Sequence, residues 1–296
     1  METPEISVVI ASYNSRGTIV NCLRSLEKQV TSVRFEIIVV DSSTDGTGEF
    51  VERTFPFVQV VRFEERKFCG NARNTGVTLA KGNIVAFIDA DCVAEKNWIE
   101  EIAKAHTFLY PVIGGAIANA EPANFISWAA FFCEFPQWMP GRTSRWMSEV
   151  CGANMSYKKS IFQQYGYFLE GTYCSDTHFH WRLGKAGISL RFVPSILVSH
   201  TSIDQLKEFI THEFFHGRYF ARVRVKAQHF LWMKRALYVI FSPLIPLKLF
   251  LDRSIFNITN RIYFIQFLKT SPLLALGLFC WSLGEVAGYI KGDRDG

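Results

Sequence analysis

The sequence predicts an α/β fold: a doubly wound, mostly parallel sheet carrying a hydrophobic helical extension at its C-terminal end. Three observations point there. Short apolar runs alternate with helical periodicity through the first hundred residues, the pattern of parallel strands joined by crossover helices. Turn chemistry and acidic residues follow directly on those runs, as at the carboxyl edge of an open sheet, where such folds bind ligands. Hydrophobic residues make up 49% of the 296-residue chain, with 27 Phe, and the excess gathers after about residue 229, where the chain is expected to meet something other than water.

Each element has a local reason. Ile6 to Ala11 is an apolar run that reads as a first strand, and Thr18 to Val30 places Ile19, Cys22, Leu23 and Leu26 at helical spacing. Phe35 to Val40 is a second strand that stops at Asp41. Ser42 to Gly48 is turn chemistry, with Asp45 placed to cap a helix, and Val58 to Arg62 is a third strand. Asn71 to Lys81 reads as a helix stopped by Gly82, before a fourth strand from Asn83 to Ile88. From Ala116 to Val150 no period dominates; Phe125, Trp128, Phe131, Phe132, Phe135, Trp138 and Trp146 form either a core that closes the sheet or an acceptor- or membrane-facing surface. Helices are expected near Lys158 to Tyr165 and Asp176 to Ala186, then two short strands, near Ser189 to Val193 and Ile196 to Ser199. The apolar stretches Leu237 to Leu251, broken by Pro243, Pro246 and Lys248, and Ser271 to Ile290, which contains Glu285, close the chain.

Composition narrows the function. The net charge of +5 is modest, but Arg218, Arg222, Arg224, Lys226, Lys234 and Arg235 form a run without an acidic residue. Such a run favours an anionic lipid surface; nucleic acid is not the expected partner, because no nucleic-acid-binding motif accompanies it. Seven cysteines without a Cys-x-x-Cys pair suit structural thiols in a reducing compartment, not a disulfide scaffold or zinc ribbon. The opening residues lack a basic segment before an apolar core, so no signal peptide is expected and the catalytic part is placed in the cytoplasm.

The densest chemistry lies at Asp89-Ala90-Asp91, two carboxylates directly after the run Ile84 to Ile88. Carboxylates at a sheet edge can hold a hard divalent ion that bridges to a pyrophosphate. Asp-x-Asp alone also occurs in turns and helix caps; its company distinguishes it here. Ser7 to Asn14, Val39 to Thr47, Ala72-Arg73-Asn74-Thr75-Gly76, Phe87 to Asp91, Gly152-Ala153-Asn154-Met155, and Ser175-Asp176 with Trp181-Arg182-Leu183 follow in an order that resembles the family 2 glycosyltransferases of GT-A fold, over roughly Ser7 to Arg224.

The resemblance implies an inverting, divalent-metal-dependent transfer of a sugar from a nucleoside-diphosphate sugar, UDP favoured and GDP possible, to a hydroxyl of a glycan or lipid-linked acceptor. It implies Mg²⁺ or Mn²⁺ as cofactor. Ala11, Tyr13, Asp41, Arg73 and Asp89 are the candidate nucleotide-sugar residues: Asp41 for a base imino proton, Tyr13 for stacking, Arg73 for the base edge or the Asp89 carboxylate. Asp91, Asp89 and His200 are candidate metal residues, and Asn154, Trp181 and Arg182 candidate acceptor residues. Asp176 is the candidate general base, although an Asp before Thr177 to Leu183 is also placed to cap a helix. The family usually has Glu before this Asp and an acidic residue two places after it; this chain has Ser175 and His178.

Two other classes compete. His212-Glu213-Phe214-Phe215-His216 spells the His-Glu-x-x-His signature of zinc hydrolases on an expected helix. A catalytically inactive, membrane-bound GT-A-fold binding protein would keep the sheet but lose one of Asp41, Asp89, Asp91 or Asp176, and all four are present. The expected division is a catalytic domain over residues 1–226 and a membrane-associated helical region over 227–296, in contact with membrane lipids, the aromatic stretch Phe125 to Trp138 lying near the headgroups. A homo-oligomeric interface is the alternative use of the apolar segments.

Overall fold

The computed structural model describes residues 3–292 as two compact units, 3–118 with 138–200, and 119–137 with 201–292. The first is the α/β part. Strands β1 (Ile6–Ser12), β2 (Phe35–Asp41), β3 (Val58–Arg62) and β4 (Ile84–Ile88) alternate with helices α1 (Ile19–Glu27), α2 (Thr47–Thr54) and α3 (Cys69–Leu79). They lie parallel in the order β3-β2-β1-β4, as the alternation predicts. Val8, Val9, Ile10, Ile38, Val39, Val40 and Phe87 are fully buried, so these strands read as continuous apolar runs because both faces are covered.

Beyond β4 the sheet turns antiparallel. The chain continues through β5 (Cys92–Ala94), α4 (Trp98–His106), β6 (Val112–Asn119), α5 (Phe125–Glu134), β7 (Arg145–Met147), β8 (Asn154–Lys158), α6 (Ser160–Tyr165), α7 (Ser175–Lys185) and β9 (Leu190–His200). The complete order is β3-β2-β1-β4-β8-β6-β9-β5, with β7 on β9. Two registers bring distant acidic and polar residues together. β8 runs against β4 with Ile88 opposite Asn154, which brings the chain entering β8 to the edge where Asp89 leaves β4. β5 runs against β9 with Cys92 opposite His200.

Two readings change. The separate strands near 189–193 and 196–199 are one strand, β9; Pro194 falls between the stretch paired to β7 and the stretch paired to β5, where a missing N–H is tolerated. The aromatic middle is mostly core: Trp128, Phe131, Phe132 and Phe135 are buried on α5 or at its end, and their expected place near headgroups is corrected, with only Phe125 of that helix strongly exposed.

The second unit gathers α5 with α8 (Leu206–Gln228), α9 (Trp232–Phe241), α10 (Leu244–Asn260) and α11 (Phe264–Lys291). Tyr263 and Phe267 pack against Trp128, Phe131 and Phe132. The packing does not follow the expected division at residue 226, because α8 lies along α11: a Cβ at Gly217 would fall 2.0 Å from the Trp281 carbonyl oxygen, so only glycine allows the helices to approach this closely. Glu285 is buried there and ion-paired with Arg224 of α8 at 3.4 Å.

Candidate active site

Three parallel strands and one antiparallel strand deliver the candidate residues to one sheet edge. β1 ends in Ser12 and leads to Tyr13; β2 ends in Asp41; β4 leads to Asp89 and Asp91; Gly152 precedes β8. The loops after β1 and β2 are tied together, because the Asn14 N–H donates to Ser43 Oγ (2.7 Å) and the Thr44 N–H donates to Asn14 Oδ1 (2.9 Å).

Asp41 sits where the apolar run predicts, at the end of β2, and is 3% exposed. Its Oδ1 accepts the Ser12 and Ser43 hydroxyls, each at 2.6 Å. Oδ2 has only the Ser43 N–H at 3.3 Å, so it is the less committed oxygen. Ala11 is half-buried within the β1–β2 pairing, opposite Val40.

Tyr13 is exposed, but one face of its ring is covered. The Arg66 guanidinium lies 4.3 Å from its centroid and donates to the Tyr173 hydroxyl at 2.7 Å, while Tyr173 meets Phe68 edge to face. Lys67 N–H donates to Ser42 Oγ at 3.0 Å. The segment after β3 therefore folds over the Tyr13–Asp41 end of the sheet. Sequence reasoning missed Arg66; the available signal was its place in a basic pair just after a strand of the same sheet.

At the centre, Arg73 is buried on α3 and donates to Asp89 Oδ1 at 2.9 Å. Burial opposes its charge, yet Asp89, Cys69 and Asp176 outweigh burial and raise its pKa. Asp176, in the first turn of α7, accepts the Gly152 N–H on Oδ2 at 3.0 Å. A Cβ at Gly152 would stand 2.7 Å from Arg73 Nη2 and 2.8 Å from Asp176 Oδ2, so the absent side chain lets these two groups converge. The N-cap position of α7 belongs to Cys174, in left-handed conformation; the capping alternative for Asp176 is corrected, and its carboxylate points to the β8 loop.

Asp91 and His200 meet because of register. Opposite Cys92, the last residue of β9 places His200 Nε2 3.5 Å from Asp91 Oδ1. Asp91, Cys92 and His200 each offer a ligand atom within 4.8 Å of the others. Burial, then Asp91 and Asp89, hold the Cys92 thiol well above its ordinary pKa, so the effective donor set is a carboxylate and an imidazole. That set fits a borderline-hard divalent ion such as Mn²⁺.

The acceptor candidates divide. Asn154 is a correction: it is 1% exposed, its amide donates to the Ala116 and Ile196 carbonyls at 2.8 and 2.9 Å, and its oxygen accepts Trp98 Nε1–H at 2.9 Å. It staples β6, β8, β9 and α4 together and is too enclosed to meet an acceptor. Trp181 Nε1–H donates to Glu149 at 2.8 Å, which steadies the chain leading to Gly152. Arg182 donates to the Tyr167 carbonyl and lies over Phe179; on α7 it projects from a different face than Asp176.

The zinc-hydrolase reading also meets an obstacle. His212 lies 3.2 Å from Glu134 of α5, and Glu213, the residue that would activate water, is 1% exposed.

The family profile of Glycosyl transferase family 2 matches residues 7–166. Glycosyltransferase AglE of Haloferax volcanii is 26% identical over 204 residues, 67% of this chain and 67% of its own length. Pre-mycofactocin glycosyltransferase of Mycobacterium tuberculosis is 26% identical over 228 residues, 72% of this chain but 46% of its own length. Putative glycosyltransferase EpsH of Bacillus subtilis is 35% identical over 35% of this chain and 31% of its own length, so the chain spans less than half of these last two relatives. Among solved structures, a mannosyltransferase from Pyrobaculum calidifontis in complex with GDP-Man and Mn²⁺ superposes with TM-score 0.63 at 18% identity, over 98% of this chain and 87% of that one. S. aureus TarS in complex with UDP-GlcNAc gives TM-score 0.57 at 19% identity, over 96% and 90%. At these identities the likeness is one of fold.

Proposed function

The chain belongs to glycosyl transferase family 2, and from that premise we propose that it is an inverting, divalent-metal-dependent transferase. It moves a sugar from a nucleoside-diphosphate donor, UDP before GDP, to a hydroxyl of a glycan or lipid-linked acceptor at the cytoplasmic face of a membrane. The observation that carries this reading is the convergence of Arg73, Asp89 and Asp176 around Gly152, beside the Asp91–His200 pair.

Asp41 Oδ2 and the Tyr13 ring receive the base, with Arg66 closing over it. Arg73 holds Asp89 in place for the ribose and keeps a fixed positive charge beside the donor, where negative charge develops. A divalent ion, Mg²⁺ or Mn²⁺, held by Asp91 with His200 would neutralise charge on the departing nucleoside diphosphate. Asp176 removes the acceptor hydroxyl proton as that oxygen attacks the anomeric carbon from the face opposite the leaving group. The Gly152 N–H fixes Oδ2 of that carboxylate, which leaves Oδ1 for the proton.

The GDP-mannose and UDP-GlcNAc held by the two fold neighbours support a nucleotide-sugar donor without choosing the base. The deciding measurement is a thermal-shift panel of UDP, GDP, ADP and CDP with Mn²⁺. UDP is expected to give the largest rise, and loss of the Mn²⁺-dependent part in Asp91→Asn. If no nucleoside diphosphate binds below millimolar concentration, the donor half of the proposal fails.

A further inference from the structure

The His212-Glu213-x-x-His216 run does not assemble the ligand set its pattern suggests, but it assembles another. Glu134, the last residue of α5, faces α8, with its Oε1 3.2 Å from His212 Nε2. Glu134, His212 and Glu213 each bring one ligand atom within 4.8 Å of the others. His216 is not part of that group; its ring centroid lies 5.8 Å from that of His212. An independent observation makes the group more than a chance cluster: Glu213 is 1% exposed and its Oε1 has no hydrogen-bond partner. Buried carboxylate oxygens without a donor are costly unless protonated or held by a cation.

We infer that Glu134, His212 and Glu213 form a second, structural metal site for a divalent transition ion of the zinc class, joining the end of α5 to α8. One imidazole and two carboxylates suit Zn²⁺, with a water completing four-coordination. Bond lengths near 2.0–2.2 Å put tetrahedral donors roughly 3.3–3.6 Å apart; Glu134 and His212 already stand at 3.2 Å, and a pair at the 4.8 Å limit closes by roughly an ångström, a movement within reach of carboxylate rotamers. His212 is only half-buried, which gives an ion a way in.

The electrostatics agree. Burial works against a charged His212, yet Glu134 and Glu213 push it up to about 9, so this point attracts a cation. Burial, and then Glu134, push the Glu213 carboxyl well up. Arg253 of α10 also acts on Glu213, but its Nη2 donates to the Cys133 carbonyl at 3.4 Å and leaves Glu213 Oε1 unsatisfied. Glu213 is then a ligand and not the general base of a hydrolase. Such a site is independent of the proposed transfer reaction.

The test uses the full chain in an Asp91→Asn background, which removes the carboxylate of the Asp91–His200 cluster. The protein is loaded with Zn²⁺, desalted, and its metal measured by plasma mass spectrometry. The Asp91→Asn protein is expected to keep about one zinc per chain, and the additional His212→Ala or Glu213→Gln change to remove it. Zinc at a hundredfold excess over Kd should raise Tm by roughly 5 °C or more in the first protein only. Circular dichroism checks that each variant is folded, and Glu213→Gln, nearly isosteric, serves should His212→Ala unfold. Zinc absent from the Asp91→Asn protein, or retained equally by both folded variants, overturns the inference; in the first case the cluster is a protonated carboxylate pair with His212.

Discussion

Asp176 and Gly152 make the proposed chemistry testable one residue at a time. Asp176→Asn keeps the volume and the Gly152 contact but cannot take a proton, so transfer should fall by about two to four orders of magnitude, the usual worth of a positioned base, while nucleotide affinity stays near normal. Near-normal turnover would place the base elsewhere. Gly152→Ala acts through space instead: its Cβ would stand 2.7 Å from the buried Arg73 guanidinium, and overpacking of that kind costs roughly 1–3 kcal/mol. It should lower turnover and Tm together, whereas Asp176→Asn should leave Tm nearly unchanged. The four carboxylates were legible in the sequence because each follows a strand or opens a helix, positions that local pattern fixes. Arg66 was not, and Gly152 was legible as part of the Gly152–Met155 motif but not in its role, since both roles arise from chain segments far apart in sequence. Asn154 misled for the same reason: its place in the Gly152–Met155 motif suggested the acceptor side, while the β8 register turns its amide into the sheet.

Among the elements, α4 and α7 are each seated by a buried histidine. His180 of α7 bonds Tyr157 of β8 at 2.6 Å, and His106 of α4 bonds Ser156 of β8 at 2.9 Å. Burial lowers both from the ordinary 6.5 to about 4, so each is neutral when folded. The unfolded chain then binds more protons between those values, and stability is lost as pH falls from about 6.5 through 4. At 1.36 kcal/mol per pKa unit each histidine should remove about 2 kcal/mol by pH 5. Urea midpoints at pH 7.5 and pH 5 measure this, and His180→Gln should flatten part of the difference; an unchanged midpoint would count against it. The parallel half of the sheet was legible because its strands are continuous apolar runs separated by helices. β5, α4, β6, α5 and β7 were not: β5 and β7 have three residues each, too few to show a period, and α5 is apolar on nearly every side because its surroundings in the second unit bury most of it.

For the molecule as a whole the decisive matter is what covers α9 and α10. α9 buries no residue and α10 only Asn257, while Trp232, Leu237, Ile240, Leu244, Leu247, Leu251 and Ile255 are each at least half exposed. Helices of 10 and 17 residues gain little stability alone in water, so an apolar surface of this extent calls for a partner. The proposed partner is lipid, which neighbouring positive charge favours, though fewer cations face it than the sequence implies: Arg224 bonds Glu285 and Tyr289, and Arg235 bonds the Tyr289 and Ile290 carbonyls. α11 is, among the described residues, the one helix long and apolar enough to cross a bilayer, with half of its most apolar window buried. Its glycine-mediated packing on α8 favours an inner helix of this unit, with α9 and α10 lying in the interface as amphipathic segments. Full-length protein is therefore expected to pellet with membranes and to resist high salt, yet to be released by alkaline carbonate, which leaves a spanning helix in place. Trp232→Glu, Ile240→Glu and Leu247→Glu together should move it to the soluble fraction without unfolding it. Each removes roughly 1.5–3 kcal/mol of apolar burial, enough in sum to lower partitioning more than a thousandfold. Wild-type protein in the soluble fraction without detergent would instead assign the face to a second copy of the chain, and sedimentation would then find a dimer that the triple variant dissociates.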